Sequence, residues 1–276
     1  MASVTQTFRA QGYVVLGGLF SADEIEQLRG EVAAELRSHG TYRSGGTVLP
    51  NAAVNGAVVP RLVTRPEILS AVRAILDDER PVFTLEADLH SNYMASAWHK
   101  DTGESVLEGG YFQCDPIGRE DCLVIKVAIY LQDHSRHGGL SIRPESHTSP
   151  SLEAGVETEL RLAAGDVVIF DTRLTHRGTL PSLPDRVISR AVDILPVHDK
   201  PRTVARLRSY RNRMIGRPDR LAVYFAYGLP GERTATFARR NMDRQLSQHG
   251  TGSSAPDEDL ERFLQRGGVD VASAAR

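Results

Sequence analysis

Cysteine is scarce in this 276-residue chain, which contains Cys114 and Cys122 and no others. Two thiols exclude a disulfide framework, and without paired CxxC spacing they make a poor zinc site. Cys122 heads an apolar run and reads as a core residue, whereas Cys114 lies among Gly, Gln and Asp and reads as exposed. Net charge is nearly absent at -2, which argues against a general nucleic-acid binder. No apolar run approaches the ~20 residues that a membrane span requires. The stretch Met1–Arg9 lacks the charged start and apolar core of a signal peptide. These absences lead us to expect a protein of the reducing cytoplasm, with no membrane and no nucleic acid among its partners. What remains is ordinary for a soluble globular protein: 41% hydrophobic and 25% charged residues. The length suits one domain, expected over residues 1–248, with 249–276 as a flexible tail rich in Gly, Ser and Ala. No internal repeat is evident, and nothing in the sequence fixes an oligomeric state.

Gly12–Phe20 reads as a short strand. Ser21 followed by Glu24 has capping-box spacing, and Ile25, Leu28, Val32 and Leu36 recur at helical spacing, so a helix is expected over about 21–38. Residues 40–61 read as loop. Pro66 opens a second helix, to about 77. From Pro81 the period changes. Val82–Leu89 alternates as a half-buried strand, and Leu123–Leu131 is a long apolar strand interrupted by Lys126. That lysine either snorkels to water or faces the interior and meets an anionic ligand. Further strands are expected at Leu160–Leu162, Val167–Phe170, Arg186–Leu195 and Leu221–Gly228, with Gly165-Asp166 as a turn. Many short strands with helices at the front point to a mainly β fold. The expected architecture is a jelly-roll (double-stranded β-helix, cupin-like) core over about 80–228 with flanking N-terminal α-helices.

Trp98-His99-Lys100-Asp101 carries the most specific chemistry. On an extended backbone residues i and i+2 share a face, so His99 and Asp101 can aim at one point while Lys100 turns away. A second stretch, Gly165–His176, ends an apolar run on a lone histidine. If the fold brings His176 to His99 and Asp101, the three form a facial set of two imidazoles and one carboxylate that leaves coordination positions open. His147 reads instead as a residue that closes a turn.

The ordered motifs resemble the phytanoyl-CoA dioxygenase family of Fe(II)/2-oxoglutarate oxygenases. The resemblance rests on Gly12–Phe20 with its following helix, the His99/Asp101 motif and Gly138–His147. The last of these is similar to the family's Gly-x-Leu…Pro-Gly-Ser-His turn, with Glu145 in place of Gly. It rests also on Gly165-Asp166…Phe170…His176, and it covers roughly residues 10–195. A bare HxD is common; four motifs in order, with its aspartate and the distal histidine roughly 75 residues apart, are specific.

The resemblance implies Fe(II) held by His99, Asp101 and His176, and 2-oxoglutarate and O2 as co-substrates. It implies oxidation of an unactivated C–H bond with release of succinate and CO2. It implies an arginine for the far carboxylate of 2-oxoglutarate on the strand after the distal histidine, where Arg186 and Arg190 both fit. A hydroxyl contact is usual two residues past that histidine; Gly178 stands there and Thr179 follows. Asp101 favours hydroxylation, or another oxidation such as desaturation or ring closure, and argues against halogenation, since halogenating relatives replace that carboxylate. Lys126 is a further cofactor-binding candidate, and Trp98, Tyr111 and Phe112 are substrate candidates in a Gly-rich lid over 102–120. The basic segment 197–220 either covers an anionic group of a small-molecule substrate or is a solvated helical face. The competing readings are a cupin-like metal enzyme that does not use 2-oxoglutarate and a ligand-binding barrel without catalysis.

Overall fold

The computed structural model describes residues 3–43, 45–92, 97–134, 139–178, 180–249 and 256–272. Among them the strands are β1 (Tyr13–Leu16), β2 (Thr41–Arg43), β3 (Gly46–Leu49), β4 (Val82–Ser91), β5 (Val124–Tyr130) and β6 (Ser141–Ile142). They continue with β7 (Thr158–Glu159), β8 (Val167–Asp171), β9 (His176–Arg177), β10 (Leu221–Gly228) and β11 (Asp270–Val271). The large sheet runs β1-β8-β5-β10-β4-β3-β2 with antiparallel neighbours, and β11 adds in parallel beside β4. The small sheet runs β7-β6-β9. The two sheets form the expected jelly roll, mainly antiparallel with flanking helices.

The apolar run of β5 is buried along its whole length because both faces are covered. Ile125, Val127 and Ile129 join the larger core under the helices, with Ala87, Leu89, Ile169 and Phe225. Ala128 and Tyr130 point the other way, into the space between the sheets, with Leu140, Ile142, Phe170 and Leu174. Lys126 shares that inner face.

The helices are α1 (Val4–Gln11), α2 (Ala22–His39), α3 (Ala52–Asn55), α4 (Val58–Val63), α5 (Pro66–Leu76), α6 (Leu183–Ile194), α7 (Lys200–Met214), α8 (Glu232–His249) and α9 (Glu258–Arg266). α2 begins at the foreseen capping box: Ser21 Oγ accepts from Glu24 N, and Ser21 N donates to Glu24 Oε2 at 2.8 Å. Ile25, Leu28, Val32 and Leu36 face the sheet and are buried. α5 starts at Pro66 as expected. No helix among the described residues is long and apolar enough to cross a membrane.

Four expectations are corrected. Residues 40–61 are not a loop: they hold β2, β3, α3 and the start of α4, and β3 pairs with β4. Leu160–Leu162 is not a strand; the pairing there is made by β7 just before it. Arg186–Leu195 is not a strand but most of α6. Ser182 and Asp185 form a capping box and Pro184 sits in the first turn, and these start signals outrank the apparent alternation. The tail expected over 249–276 folds back in part. α9 buries Leu264, and β11 lies against β4, because the sparse apolar residues of this segment fill one gap in the main core.

Gly12 ends α1 at φ +80, and a Cβ there would sit 2.5 Å from His147 Nδ1 and 2.8 Å from Leu174. We expect Gly12→Ala to lower stability by about 2 kcal/mol, from the left-handed backbone and the clash together. Equilibrium denaturation at unchanged m-value measures it.

Candidate metal centre and its cavity

His99 and His176 are joined as an isolated antiparallel bridge between the two motifs. His99 N donates to His176 O at 3.0 Å, and His176 N donates to His99 O at 2.9 Å. Asp101 N then donates to Thr172 O at 2.7 Å, which fixes the next turn of chain. The extended backbone at 98–101 does what the spacing requires. His99 and Asp101 aim at one point, and Lys100 turns away to donate to Ser146 O and Arg173 O at 2.7 and 2.6 Å.

His99, Asp101 and His176 offer ligand atoms all within 4.8 Å of one another. His99 Nε2 lies 3.6 Å from Asp101 Oδ1, and His176 Nε2 lies 3.6 Å from Asp101 Oδ2. Each imidazole is oriented from behind. His99 Nδ1 sits 2.8 Å from Ala97 O and His176 Nδ1 sits 3.0 Å from Leu174 O. A carbonyl can only accept, so Nδ1 carries the proton and the Nε2 lone pair is left for a metal. Burial, then the neighbouring His99, lowers the His176 pKa to about 4, so its neutral, ligating form persists into acid. Burial alone would raise the Asp101 pKa, but Lys126, His176 and His99 outweigh it and hold the carboxylate well below its usual range. This donor set fits a divalent ion with open positions.

Lys126 is the buried hub. Its Nζ donates to Asp101 Oδ2 at 2.9 Å and to Glu86 Oε1 at 2.7 Å. Of the two readings of this residue, the inward one holds, but its partners are carboxylates of the protein. Burial would lower its pKa; Asp101, Glu86 and Asp88 overcome this and raise it well above normal.

The site opens into a cavity of about 540 Å³. One wing holds Tyr130, Gln132, Tyr224 and Arg220. The Arg220 guanidinium forms no ion pair or hydrogen bond among the described residues; burial, with Arg208 and Arg211, lowers its pKa against the attraction of Asp185. It remains charged at any ordinary pH. The other wing holds Glu86 and Tyr111, with Gln245 from α8, and Asp88 stands between the two, paired in register with Tyr224. Glu86 and Asp88 alternate with the core residues Ala87 and Leu89 on β4. Glu86 ends a bulge, where Thr84–Glu86 oppose the single Ala226 of β10, and Asp88 follows it.

The other sequence candidates fall as follows. Arg186 and Arg190 lie exposed on α6, outside the cavity, so neither is placed to meet a co-substrate there. Thr179 lies outside the described residues. Trp98 does not line the cavity; its ring is flanked by the guanidinium groups of Arg143 and Arg177 at 4.7 and 4.6 Å. Phe112 also points elsewhere and packs on Phe237 at 5.0 Å. Tyr111 does line the cavity. In the basic segment, Arg208 and Arg211 are tied to Asp185, and most of the remainder is a solvated helical face. Glu86, Asp88 and Gln245 were not foreseen, and Arg220 entered only as the last residue of the basic segment 197–220, not as a partner for 2-oxoglutarate. The alternation Glu86-Ala87-Asp88 was a usable signal once β4 was known to line an interior. Arg220 could have been sought immediately before the next strand rather than close behind His176.

Burial, with a smaller push from Glu86, raises the Asp88 pKa to about 6 against Lys126. Between the ordinary carboxylate value and about 6 the folded protein keeps a proton that the unfolded chain has lost. Stability therefore falls as pH rises through that window and is flat above it. We expect Asp88→Asn to remove this slope and to stabilise the metal-free protein at pH 7 by on the order of 1–3 kcal/mol. Denaturation of both proteins across about pH 4–7 reads the difference.

Comparison with known proteins agrees with this fold. A solved epimerase, SnoN in complex with Fe3+, alpha ketoglutarate and nogalamycin RO, has 15% identity and a TM-score of 0.56, covering 82% of each chain. The carbocyclase SnoK from nogalamycin biosynthesis has 16% identity and a TM-score of 0.56 over 92% of each chain. EctD from S. alaskensis with bound Fe has 18% identity and a TM-score of 0.54, covering 80% of this chain and 74% of that one. At such identities the likeness is one of fold. No curated protein matches the chain. The profile of the phytanoyl-CoA dioxygenase (PhyH) family matches residues 8–180, which contain all three candidate ligands, and the chain belongs to that family.

Proposed function

We propose that this protein is an Fe(II)- and 2-oxoglutarate-dependent oxygenase that hydroxylates a C–H bond of a small molecule in the cytoplasm. One observation carries the reading: the His99–Asp101–His176 face and the unpaired Arg220 line the same cavity. Two imidazoles and a carboxylate suit a non-haem ferrous ion. A lone guanidinium suits the far carboxylate of a keto-diacid, which it can grip with two hydrogen bonds. When bound, Fe(II) and 2-oxoglutarate would supply the oxidising chemistry that side chains lack, with succinate and CO2 as products.

The chain's own residues do the rest. Ala97 O and Leu174 O orient the imidazoles, and Lys126 holds the Asp101 carboxylate ionised and in place. The Phe170 ring lies 4.8 Å from that of His176 and keeps one side of the site apolar. Tyr130 and Tyr224, with hydroxyls 3.5 Å apart, line the Arg220 wing and can donate to an anion there. Hydroxylation is favoured over halogenation because Asp101 fills the place a halide would need. The epimerase and carbocyclase of this fold make ring closure and epimerisation the outcomes to compare with it.

Anaerobic addition of Fe(II) and 2-oxoglutarate should give a weak charge-transfer band near ~500 nm, as expected for a keto acid chelating a ferrous ion at an open facial site. His176→Ala should abolish it. Arg220→Ala should keep it but raise the 2-oxoglutarate concentration at half-maximum by about 10–100-fold, the loss of a charged hydrogen-bonded pair. Arg186→Ala and Arg190→Ala should leave it unchanged. Wild-type protein without the band would reject the reading in favour of a cupin-like enzyme or a non-catalytic barrel. An unshifted Arg220→Ala titration would reject the assignment of that residue.

A further inference from the structure

The wing of the cavity away from Arg220 has a chemistry of its own. Glu86 is 4% exposed; Oε1 accepts from Lys126, and Oε2 has no partner among the described residues. Gln245 is 1% exposed, and neither its Oε1 nor its Nε2 has one. The half-buried Asp88 carboxylate forms no hydrogen bond or ion pair among the described residues, although the charges of Lys126 and Arg244 act on it. Each of the two buried groups, Glu86 Oε2 and the Gln245 amide, costs on the order of 1–3 kcal/mol if left unmet. Groups of this kind are kept where something else supplies the partner. All three line one cavity, and they come from two elements, β4 and α8.

Resting on the oxygenase reading above, we propose that the primary substrate carries a protonated amine. It sits between Glu86 Oε2 and the Asp88 carboxylate, and the Gln245 amide bonds a neighbouring polar group. An ammonium offers three N–H donors and no acceptor, the complement of carboxylate oxygens on Glu86 and Asp88 that lack donors. The other cations of this wing are engaged. Lys126 holds Glu86 and Asp101. Arg244 donates to Asn241 Oδ1 at 3.0 Å and lies over the Tyr111 ring, and Arg43 has partners of its own. An anionic substrate group here would face two carboxylates in a poorly solvated space. The α7 arginines, which first suggested an anionic substrate, lie outside the cavity. Because Lys126 bridges Glu86 to Asp101, an amine held on Glu86 is fixed one lysine away from the metal face. That distance selects which carbon of the substrate is presented for oxidation.

The test uses the full chain, anaerobic, with Fe(II) and 2-oxoglutarate. A graded series of small primary amines is titrated by calorimetry, each beside its N-acetyl derivative and the carboxylic acid of equal length. We expect at least one amine to bind, with its two counterparts at least about tenfold weaker. Asp88→Asn and Gln245→Ala should each weaken the amine by about tenfold or more, in proteins whose circular dichroism and melting remain those of a folded chain. Binding by no amine, equal binding of the N-acetyl compound, or an unaltered affinity in Asp88→Asn would overturn the proposal. The ~500 nm band, read on the same samples, separates two failures. With the band present and no amine preference, this inference alone is wrong. With the band absent, the oxygenase reading is wrong, and the amine titration is judged on the metal-free protein by the same criteria.

Discussion

The reciprocal backbone pair between His99 and His176 is the constraint on which the site depends. Two hydrogen bonds join segments that are far apart in sequence, and they do so at the two histidines themselves. Once that pair is made, the third ligand follows locally, because Asp101 is two residues from His99 on an extended backbone. The site is therefore set by main chain, with side chains only refining it. Carbonyl oxygens at Ala97 and Leu174 fix the imidazole tautomers. A buried, doubly bonded Asp171–Arg173 pair then holds the strand end, and Arg173 also reaches Pro116 O and Arg119 O in the 102–122 segment.

Charge inside the barrel is balanced around one lysine. Lys126 faces Asp101, Glu86 and Asp88, so three carboxylates and one ammonium share a poorly solvated space. Such a group of charges is a weak source of stability, since desolvation offsets most of the attraction. Its value is geometric and electrostatic: it keeps Asp101 ionised and divides the cavity. On one side stands an unpaired guanidinium, and on the other stand unpaired oxygens. The two wings thus call for ligands of opposite character, which is what a co-substrate diacid and a separate amine-bearing substrate would provide.

The helical pair α6–α7 lies between the distal histidine and the strand that follows it in the barrel. Its presence explains why spacing misled the search for a carboxylate-binding arginine. Counting from His176 leads to Arg186 and Arg190, which the Ser182–Asp185 capping box winds into an exposed helix. The barrel resumes only at β10, and Arg220 stands immediately before it. Chain distance and barrel distance part company at the insertion. The same holds at the C-terminal end, where a segment of linker-like composition returns to pair β11 with β4.

The sequence by itself determined the fold class, the helices after Ser21 and at Pro66, the strands around Val82, Val124 and Val167, and the identity of the three candidate ligands. These rest on short-range physics: capping, apolar period and the two-residue repeat of an extended chain. Only the tertiary structure decided which arginine stands in the cavity without an ion pair, that Trp98 and Phe112 stay out of it, and that unpartnered polar atoms of Glu86, Asp88 and Gln245 meet there. Those outcomes depend on which strands become neighbours and which faces close over one another. No local pattern encodes that, because a charged residue on a strand looks the same whether its face meets water or the inside of a barrel.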